Sequence, residues 1–197
     1  EKTIEAIPNL TEKDKPVPQT YHRKSQLNYR YIFENFIEGK SNQFARAAAI
    51  SVSENPAQTP YNPLLIYSSP GLGKTHLLQA IGNKVIRQNP NMKVVYLTSE
   101  KFMLDFISSI QKNNSTNFIN HYRKIDMLLL DDAQFFQSKE QTQEQFFHLF
   151  NDLFQKGKQI VLTTDRHPNE LTGLKERLVS RFQSGLIVDI QPPDFET

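Results

Sequence analysis

Short apolar runs alternate with helical patterns along most of the chain. Five of these runs, each four or five residues long, predict buried strands at 64–67, 94–97, 127–130, 160–163 and 186–190. Between them, apolar side chains recur every four residues and share one helix face in three sets, which are Leu77, Ile81 and Val85, then Phe102, Phe106 and Ile110, then Phe146, Phe150 and Phe154. This alternation predicts an α/β fold, in which a five-stranded parallel sheet is flanked by helices on both faces.

Two helix ends carry signals of their own. An alanine-rich helix is predicted from Asn42 to about Glu54, with Ser41 as its N-cap. Gly157 follows the third helical set, where a left-handed C-cap is expected. In parallel sheets ligands bind at the carboxyl ends of the strands, and the polar segments described below all fall there.

The chain divides into two parts by composition. Residues 1–26 hold three prolines, many charges and few large apolar side chains. Such a segment cannot bury enough surface to offset its ordering entropy, so we predict a flexible linker. Residues 27–197 are predicted to form one packed domain.

Composition also excludes several classes of protein. The 197 residues are 38% hydrophobic and 22% charged, as in globular proteins, and no apolar run approaches the ~20 residues of a membrane helix. The net charge of +2 is too small for a global field, so any nucleic-acid contact must use local patches. The absence of cysteine excludes disulfides and thiolate metal sites, and with no secretory signal we expect a cytoplasmic protein.

The segment SSPGLGKT, which ends at Thr75, lies between the first predicted strand and a helix. This is the setting of a Walker A phosphate loop, in which Gly71 and Gly73 let backbone N–H groups face phosphate oxygens. Lys74 would reach the β- and γ-phosphates, and the Thr75 hydroxyl would ligate Mg²⁺. Ser68 replaces the glycine usual at the first position, but it is small and lies outside the crowded turn. We therefore predict a working phosphate loop rather than a chance turn.

The segment MLLLDD places Asp131 and Asp132 at the end of a buried strand. Adjacent carboxylates at such a strand end are costly unless a cation lies nearby. Asp131 would hold Mg²⁺ through its water shell, and Asp132 would orient or deprotonate the attacking water. The alternative is a solvated strand end. Together with the phosphate loop, the pair predicts ATP as the ligand, with GTP as the second choice.

Two later segments end in polar residues whose role can be interpreted in more than one way. IVLTTDRHP places Thr164 and Asp165 where they could sense the γ-phosphate, although an ordinary strand-to-turn junction fits equally well. LKERLVSRF places Arg177 and Arg181 one turn apart on a short helix. Surface arginines are the default for such a pair, and an arginine finger acting on the ATP of a neighbouring subunit is the alternative.

Several blocks of sequence carry a family resemblance. They are LNYRYIFENFIEGKSNQFARAAA, YNPLLIY with GLGKTHLLQAIGN, VVYLTSEKF, LLLDDAQFF with KEQTQEQFFHLFN, IVLTTDRHP and RLVSRFQSGLIVDIQPPD. In this order they cover essentially residues 27–197, and the chain resembles the DnaA family of bacterial replication initiators, which are AAA+ ATPases. Residues 1–26 resemble the variable linker that precedes the ATPase core in that family.

The resemblance implies a role for individual positions. The phosphate loop and the two acids after the third strand match the family's Walker motifs, and Ile37 and Asn42 match the stretch that holds the adenine. Asp165 matches the sensor 1 acid. Arg181 matches the finger that completes the ATP site of an adjacent protomer, and Arg177 matches the accompanying interface arginine.

The family also has an insertion of two helices that binds single-stranded DNA in the channel of the oligomer, and residues 102–124 fit its place. Ile107, and Lys139 at the start of the next helix, match positions that line the channel. An amphipathic hairpin that merely covers the sheet is the alternative. Phe102 and Phe106 are expected to be core residues, because their spacing is helical.

The resemblance implies an ATP-dependent initiator of chromosomal replication. ATP or ADP, with Mg²⁺, would act mainly as a switch, and the ATPase activity would be weak. ATP binding would drive self-association into a helical oligomer that melts the origin and holds single-stranded DNA, with a replicative helicase and regulators as further partners. The chain ends at Thr197, where the lid subdomain of the family is expected to begin. We therefore expect the lid, and the C-terminal domain that binds duplex origin DNA, to be missing.

Two other functions remain open at this level. A related AAA+ protein, such as a helicase loader or an ATPase that regulates the initiator, would share the phosphate loop and the arginine finger. A nucleotide-gated interaction module with negligible hydrolysis would share them too.

Overall fold

The computed structural model of the chain describes residues 25–192. Nearly all of the predicted linker, residues 1–24, lies outside the described residues, so the linker stays a prediction. The last five residues of the predicted domain, 193–197, lie outside them as well. None of the helices in the described part is long and apolar enough to cross a membrane.

Five parallel strands form one sheet in the order β2-β3-β4-β1-β5. Their bounds are β1 Leu64–Tyr67, β2 Val94–Thr98, β3 Met127–Asp131, β4 Gln159–Thr164 and β5 Leu186–Asp189. Each lies within one residue of its prediction at either end, because four- and five-residue apolar runs between polar turns leave little freedom of register. The α/β prediction with five parallel strands is confirmed.

Six α-helices lie among residues 25–192. They are α1 Gln43–Glu54, α2 Lys74–Gln88, α3 Ser99–Gln111, α4 Ser115–Tyr122, α5 Glu140–Gln155 and α6 Glu176–Phe182. Three short 3-10 turns at Phe33–Asn35, Ala133–Phe136 and Pro168–Glu170 connect them. We name residues 25–42, which precede α1, the entry segment.

A separate hydrophobic cluster covers each face of the sheet. Leu64 and Ile66 belong to the cluster under α1 and α2, whereas Leu65 between them belongs to the cluster under helices α3 to α6. The same alternation in β3 puts Leu129 and Leu130 on opposite faces. Successive side chains of a strand point to opposite sides, so helices on both faces bury every position of the central strands β3 and β4.

Three details of the helices were not predicted. Ile110 is 45% exposed and Phe154 is 36% exposed, although each shares its helix face with two buried phenylalanines. Each is the last member of its set, and a four-residue spacing drifts by about 40° per step on a helix of 3.6 residues per turn. Asn42, not Ser41, is the N-cap of α1. Gly157 has a φ of 63°, so the predicted left-handed cap is confirmed.

Gly82 is a point of close packing between α2 and the sheet. A Cβ at this position would lie 2.6 Å from Leu129 Cδ1 and 2.9 Å from Leu27 Cδ1. We predict that Gly82→Ala destabilises the protein by ~1–3 kcal/mol through overpacking, despite the higher helix propensity of alanine. Urea unfolding measures the free-energy change.

The matched control is Ala47→Gly, at an exposed position of α1. It should cost about 1 kcal/mol through helix propensity alone. An unfolding free energy that stays constant or rises in Gly82→Ala would contradict the packing argument.

Candidate phosphate-binding site

A cavity of 310 Å³ opens at the carboxyl ends of the central strands. It is lined by Tyr31, Pro70, Gly71, Gly73, Lys74, Thr75, His76, Asp132, Gln134 and Asp165. The structure therefore brings together side chains that follow three different strands and that the sequence predicted as one site. Their meeting point is the edge where ligands bind in parallel sheets.

The phosphate loop has the backbone that its glycines were predicted to allow. Gly71 has a φ of 85° and Gly73 a φ of 95°, both in the left-handed region. A Cβ at Gly73 would also lie 3.0 Å from Phe36 Cε2 of the entry segment. Helix α2 begins at Lys74, directly after this turn, so the positive end of its dipole faces the cavity.

Lys74 is held against the backbone of its own loop. The ammonium group donates to the Ser68 carbonyl at 2.7 Å and to the Ser69 carbonyl at 3.2 Å, and it lies 3.3 Å from Ser68 Oγ. Ser68, which replaces the usual first glycine of the Walker A pattern, is buried in the loop. Its hydroxyl is one of the groups that Lys74 contacts. Burial lowers the pKa of Lys74 below the ordinary lysine value, and the carboxylates of Asp132, Asp131 and Asp165 oppose this effect.

Asp131 is buried, and its carboxylate accepts hydrogen bonds from three hydroxyl groups. Thr75 Oγ1 donates to Oδ2 at 2.8 Å, the Tyr96 hydroxyl donates to the same oxygen at 3.0 Å, and Thr163 Oγ1 donates to Oδ1. The pKa of Tyr96 is raised strongly, first by burial and then by the negative charge of Asp131. The buried charge is thus satisfied by hydrogen bonds from α2, β2 and β4.

Asp132 turns away from the strand and reaches the cavity. Its φ of 56° lies in the left-handed region, which aspartate tolerates better than most residues. The backbone N–H donates to Thr163 Oγ1 at 2.8 Å, and the side chain accepts a hydrogen bond from Gln134 Nε2 at 3.0 Å. Asp165, on the neighbouring strand end, lines the same cavity and pairs with Arg166 at 3.2 Å.

The donor set near the loop fits Mg²⁺. Thr75 and Asp131 offer hard oxygen atoms 2.8 Å apart, and no group of three or more His, Asp or Glu side chains able to hold a metal occurs among residues 25–192. Mg²⁺ is commonly held by one or two protein oxygens, with waters and phosphate oxygens completing the shell. These residues therefore suit a magnesium ion that arrives with a polyphosphate.

Ile37 and Asn42 do not line the cavity. The Ile37 side chain is 74% exposed, whereas Asn42 is buried. Asn42 Nδ2 donates to the Ile37 carbonyl at 3.0 Å, and Asn42 Oδ1 accepts from the Gly39 N–H at 3.0 Å. Asn42 thus uses both ends of its amide to close the turn that presents Ile37, which explains why it does not cap α1 with its side chain.

Helix α2 holds the entry segment with three polar side chains that sequence reasoning missed. His76 Nε2 lies 2.8 Å from the Ile32 carbonyl, and Gln79 Oε1 accepts from the Asn28 N–H at 2.8 Å. Asn83 Nδ2 donates to the carbonyls of Asn28 and Tyr31 at 2.9 and 2.7 Å. The available signal was the spacing of three and four residues between these side chains, which puts them on one face of the helix.

Arg177 and Arg181 lie on α6, as predicted, and do not line the cavity. The Arg177 guanidinium lies 4.8 Å from the centre of the Phe147 ring and 3.5 Å from Glu144. The Arg181 guanidinium lies 6.0 Å from the same ring. Phe147 therefore packs under both arginines, and their assignment to a neighbouring ATP site stays a prediction.

Residues 102–124, where the DNA-binding insertion was predicted, span most of α3, which begins at Ser99, and all of α4. The DNA-binding role of this segment stays a prediction. Phe102 and Phe106 are buried, as predicted, and Ile107 is 43% exposed. Leu104, on the same helix, is 60% exposed and was missed. Lys139 is exposed at the start of α5, directly after the turn Ala133–Phe136, which packs on α3.

The sheet order, the phosphate loop after β1 and the paired carboxylates after β3 define a nucleotide-binding core of the AAA+ ATPase class. The model of the bacterial DnaA ATPase domain family matches residues 27–189. The chain therefore belongs to the DnaA family.

Individual relatives agree with this assignment. The chromosomal replication initiator protein DnaA of Lacticaseibacillus paracasei is 57% identical over 178 residues, which are 90% of this chain and 39% of that protein. Domain III from the Thermotoga maritima replication initiation protein DnaA has a TM-score of 0.84 at 48% identity, covering 86% of this chain and 70% of that one. A replication initiator DnaA bound to AMPPCP and single-stranded DNA has a TM-score of 0.81 at 43% identity, covering 85% and 51%.

Tyr96 offers a direct test of the hydroxyl contacts around Asp131. We predict that Tyr96→Phe lowers the free energy of unfolding by about 1.5–3 kcal/mol, because a buried carboxylate loses a charge-assisted hydrogen bond. Chemical denaturation at neutral pH measures this loss.

Tyr122→Phe is the matched control, since Tyr122 is buried in the cluster under α3 to α6 and not beside Asp131. The loss in the control should be clearly smaller. Equal losses in the two variants would mean that the Tyr96 hydroxyl gives Asp131 no special support.

Proposed function

We propose that this chain is the ATP-binding core of a bacterial initiator of chromosomal replication. The observation that carries the proposal is the cavity lined by the phosphate loop with Lys74 and Thr75. The buried Asp131 lies directly behind this lining, hydrogen-bonded to Thr75. Support comes from the relatives named above, one of which was seen with AMPPCP and single-stranded DNA. Family membership favours this function over a helicase loader or a regulatory ATPase.

The cavity suits the triphosphate of ATP. Backbone N–H groups of the loop and the N-terminus of α2 would face the phosphate oxygens, and Lys74 would exchange its loop carbonyls for the β- and γ-phosphates. Thr75 and Asp131 would hold Mg²⁺, which would neutralise negative charge on the β- and γ-phosphates. Ile37, presented by the turn that Asn42 closes, would lie against the adenine.

Hydrolysis would depend on the two remaining acids of the cavity. Asp132, fixed by its backbone contacts, would accept a hydrogen bond or a proton from the attacking water. Asp165 would sense the γ-phosphate from the end of the neighbouring strand. We expect weak turnover, because the residue that would complete the site, Arg181, has to come from another protomer.

ATP would therefore act mainly as a switch for assembly. The γ-phosphate would draw Arg181 of a neighbour into the site, with Arg177 supporting the interface, and ADP would release it. The assembled protomers would hold single-stranded DNA through Ile107 and Lys139, both of which are exposed. This arrangement couples nucleotide state to origin melting.

Arg181→Ala tests the switch. We predict that the variant of the full-length protein binds ATP with nearly unchanged affinity, because Arg181 lies outside its own cavity. ATP-dependent oligomers should be lost, and ATP turnover under the conditions that assemble the wild type should fall by about 10³-fold. Calorimetry measures ATP affinity, and sedimentation velocity measures assembly.

Two controls frame this test. Lys74→Ala should lose both ATP binding and assembly. Arg87→Ala removes an arginine from the far end of α2 and should lose neither. If Arg181→Ala abolished ATP binding itself, the assignment of Arg181 to a neighbouring site would be wrong.

Lys139 and Ile107 should contribute differently to DNA binding. We predict that Lys139→Ala weakens ATP-dependent binding of single-stranded DNA and reduces the salt slope, d log K/d log[salt], by about 0.7, because one phosphate contact is lost. Ile107→Ser should weaken binding at constant salt slope, because its contact is apolar. Fluorescence anisotropy at several salt concentrations separates the two.

The control for charge is Lys156→Ala, at the opposite end of the same helix α5, which should bind DNA normally. An unchanged salt slope in Lys139→Ala would exclude a phosphate contact by Lys139.

A further inference from the structure

Phe147 contacts two arginines and has no part in the mechanism above. It lies on α5, three residues after Glu144, so the two side chains leave the same face of that helix. Arg177 and Arg181 lie four residues apart on α6 and share a face in the same way. The two faces meet, because the Phe147 ring lies under both guanidinium groups.

Arg177 has an acidic partner in its own chain. Its guanidinium lies 4.8 Å from the centre of the Phe147 ring. It also lies 3.5 Å from Glu144 Oε2, and the same oxygen is 3.8 Å from Lys175 Nζ. The positive charge of Arg177 is therefore already engaged within the protomer.

Arg181, one turn further along α6, has the ring but no acid. Its guanidinium lies 6.0 Å from the centre of the Phe147 ring, and it forms no ion pair with a carboxylate in the part of the chain that the structure describes. Arg181 is half-buried, whereas Arg177 is exposed. The Arg181 guanidinium is thus held beside an aromatic side chain without a neutralising acid.

An aromatic ring and a carboxylate hold a guanidinium group in different ways. A carboxylate accepts hydrogen bonds from the N–H groups and neutralises the charge. A ring attracts the positive charge through its π face and leaves the N–H groups at the edge of the guanidinium for another acceptor. An arginine that rests on a ring is therefore restricted in conformation but still able to bind an anion.

We propose that Phe147 is a positioning residue that presents Arg181 to the ATP of a neighbouring protomer. Glu144 engages Arg177, so Arg181 is the member of the pair that stays available to a phosphate of another molecule. The inference rests on the proposed function of Arg181 as an arginine finger.

The ring would act by lowering the entropic cost of assembly. An arginine side chain loses rotamer freedom when an interface immobilises it, and a contact that already exists in the free protomer reduces this loss. Immobilising one such side chain changes an association constant by about 3- to 10-fold. Without the ring, each interface would have to order a mobile arginine.

Phe147→Leu tests this role in the full-length protein. We expect the protein concentration at the midpoint of ATP-dependent assembly to rise by about 3- to 10-fold in sedimentation velocity. ATP turnover at a fixed protein concentration near the wild-type midpoint should fall as well, and it should recover when more protein restores assembly. ATP affinity of the unassembled protomer, measured by calorimetry, should not change, because Phe147 does not line the cavity.

Two further variants separate the ring from its packing on the core, since Phe147 is also packed against the cluster under α3 to α6. Phe147→Tyr keeps the ring and should assemble like the wild type. Phe147→Met keeps an apolar side chain of similar volume without a ring, and it should show the same loss as Phe147→Leu. A methionine variant that assembles like the wild type would contradict the proposal.

Phe154→Leu is the matched control. Phe154 lies on the same helix, and its ring stacks on Phe150 at 6.1 Å instead of lying under an arginine. This variant should assemble at the wild-type concentration. A loss equal to that of Phe147→Leu would mean that any lost aromatic ring on α5 weakens assembly, and it would overturn the role of Phe147.

The outcomes distinguish this proposal from the proposed function. If Phe147→Leu assembles at the wild-type concentration while Arg181→Ala does not assemble, the role of Phe147 is wrong and the proposed function stands. If Arg181→Ala assembles like the wild type, both are wrong.

Discussion

The buried carboxylate of Asp131 is the constraint on which the site depends. It lies at the end of β3, and its hydroxyl donors come from α2, β2 and β4. These elements can supply their donors only because β2 and β4 flank β3 in the sheet and α2 packs across them. A buried charge without such donors would cost several kcal/mol, so the strand order and the position of the carboxylate support each other.

The phosphate loop is tied to the entry segment by an equally local contact. Phe36 lies where a side chain at Gly73 would be, and the Phe36 ring also meets His76 edge-on at 5.4 Å. Glycine is therefore required at position 73 for two reasons. One is its left-handed φ, and the other is the close approach of the Phe36 ring. Since α2 carries both the loop and the polar residues that bind the entry segment, a movement of that segment must disturb the nucleotide site.

The strands and the phosphate loop could be predicted from the sequence, because the patterns that indicate them are only a few residues long. A strand, a glycine turn and the lysine after it need only neighbouring residues, and β3 differed from its prediction only by including Asp131. Tyr96 and Thr163 could not be found in this way, because each meets Asp131 across more than thirty positions of sequence. The exposure of Ile110 could not be predicted either, because periodicity gives the face of a helix and not how far the core beneath that face extends.

The charges in the cavity explain why nucleotide and metal should bind together. Three carboxylates, Asp131, Asp132 and Asp165, act on the one ammonium of Lys74. A triphosphate alone would be repelled by these carboxylates. A divalent cation alone would be repelled by the Lys74 ammonium, which is hydrogen-bonded to the loop. Mg²⁺ bound to the phosphates would reduce the repulsion on both sides, while the phosphates would take over the contacts of Lys74. The charges of the site therefore favour the proposed complex of the two ions over either ion alone.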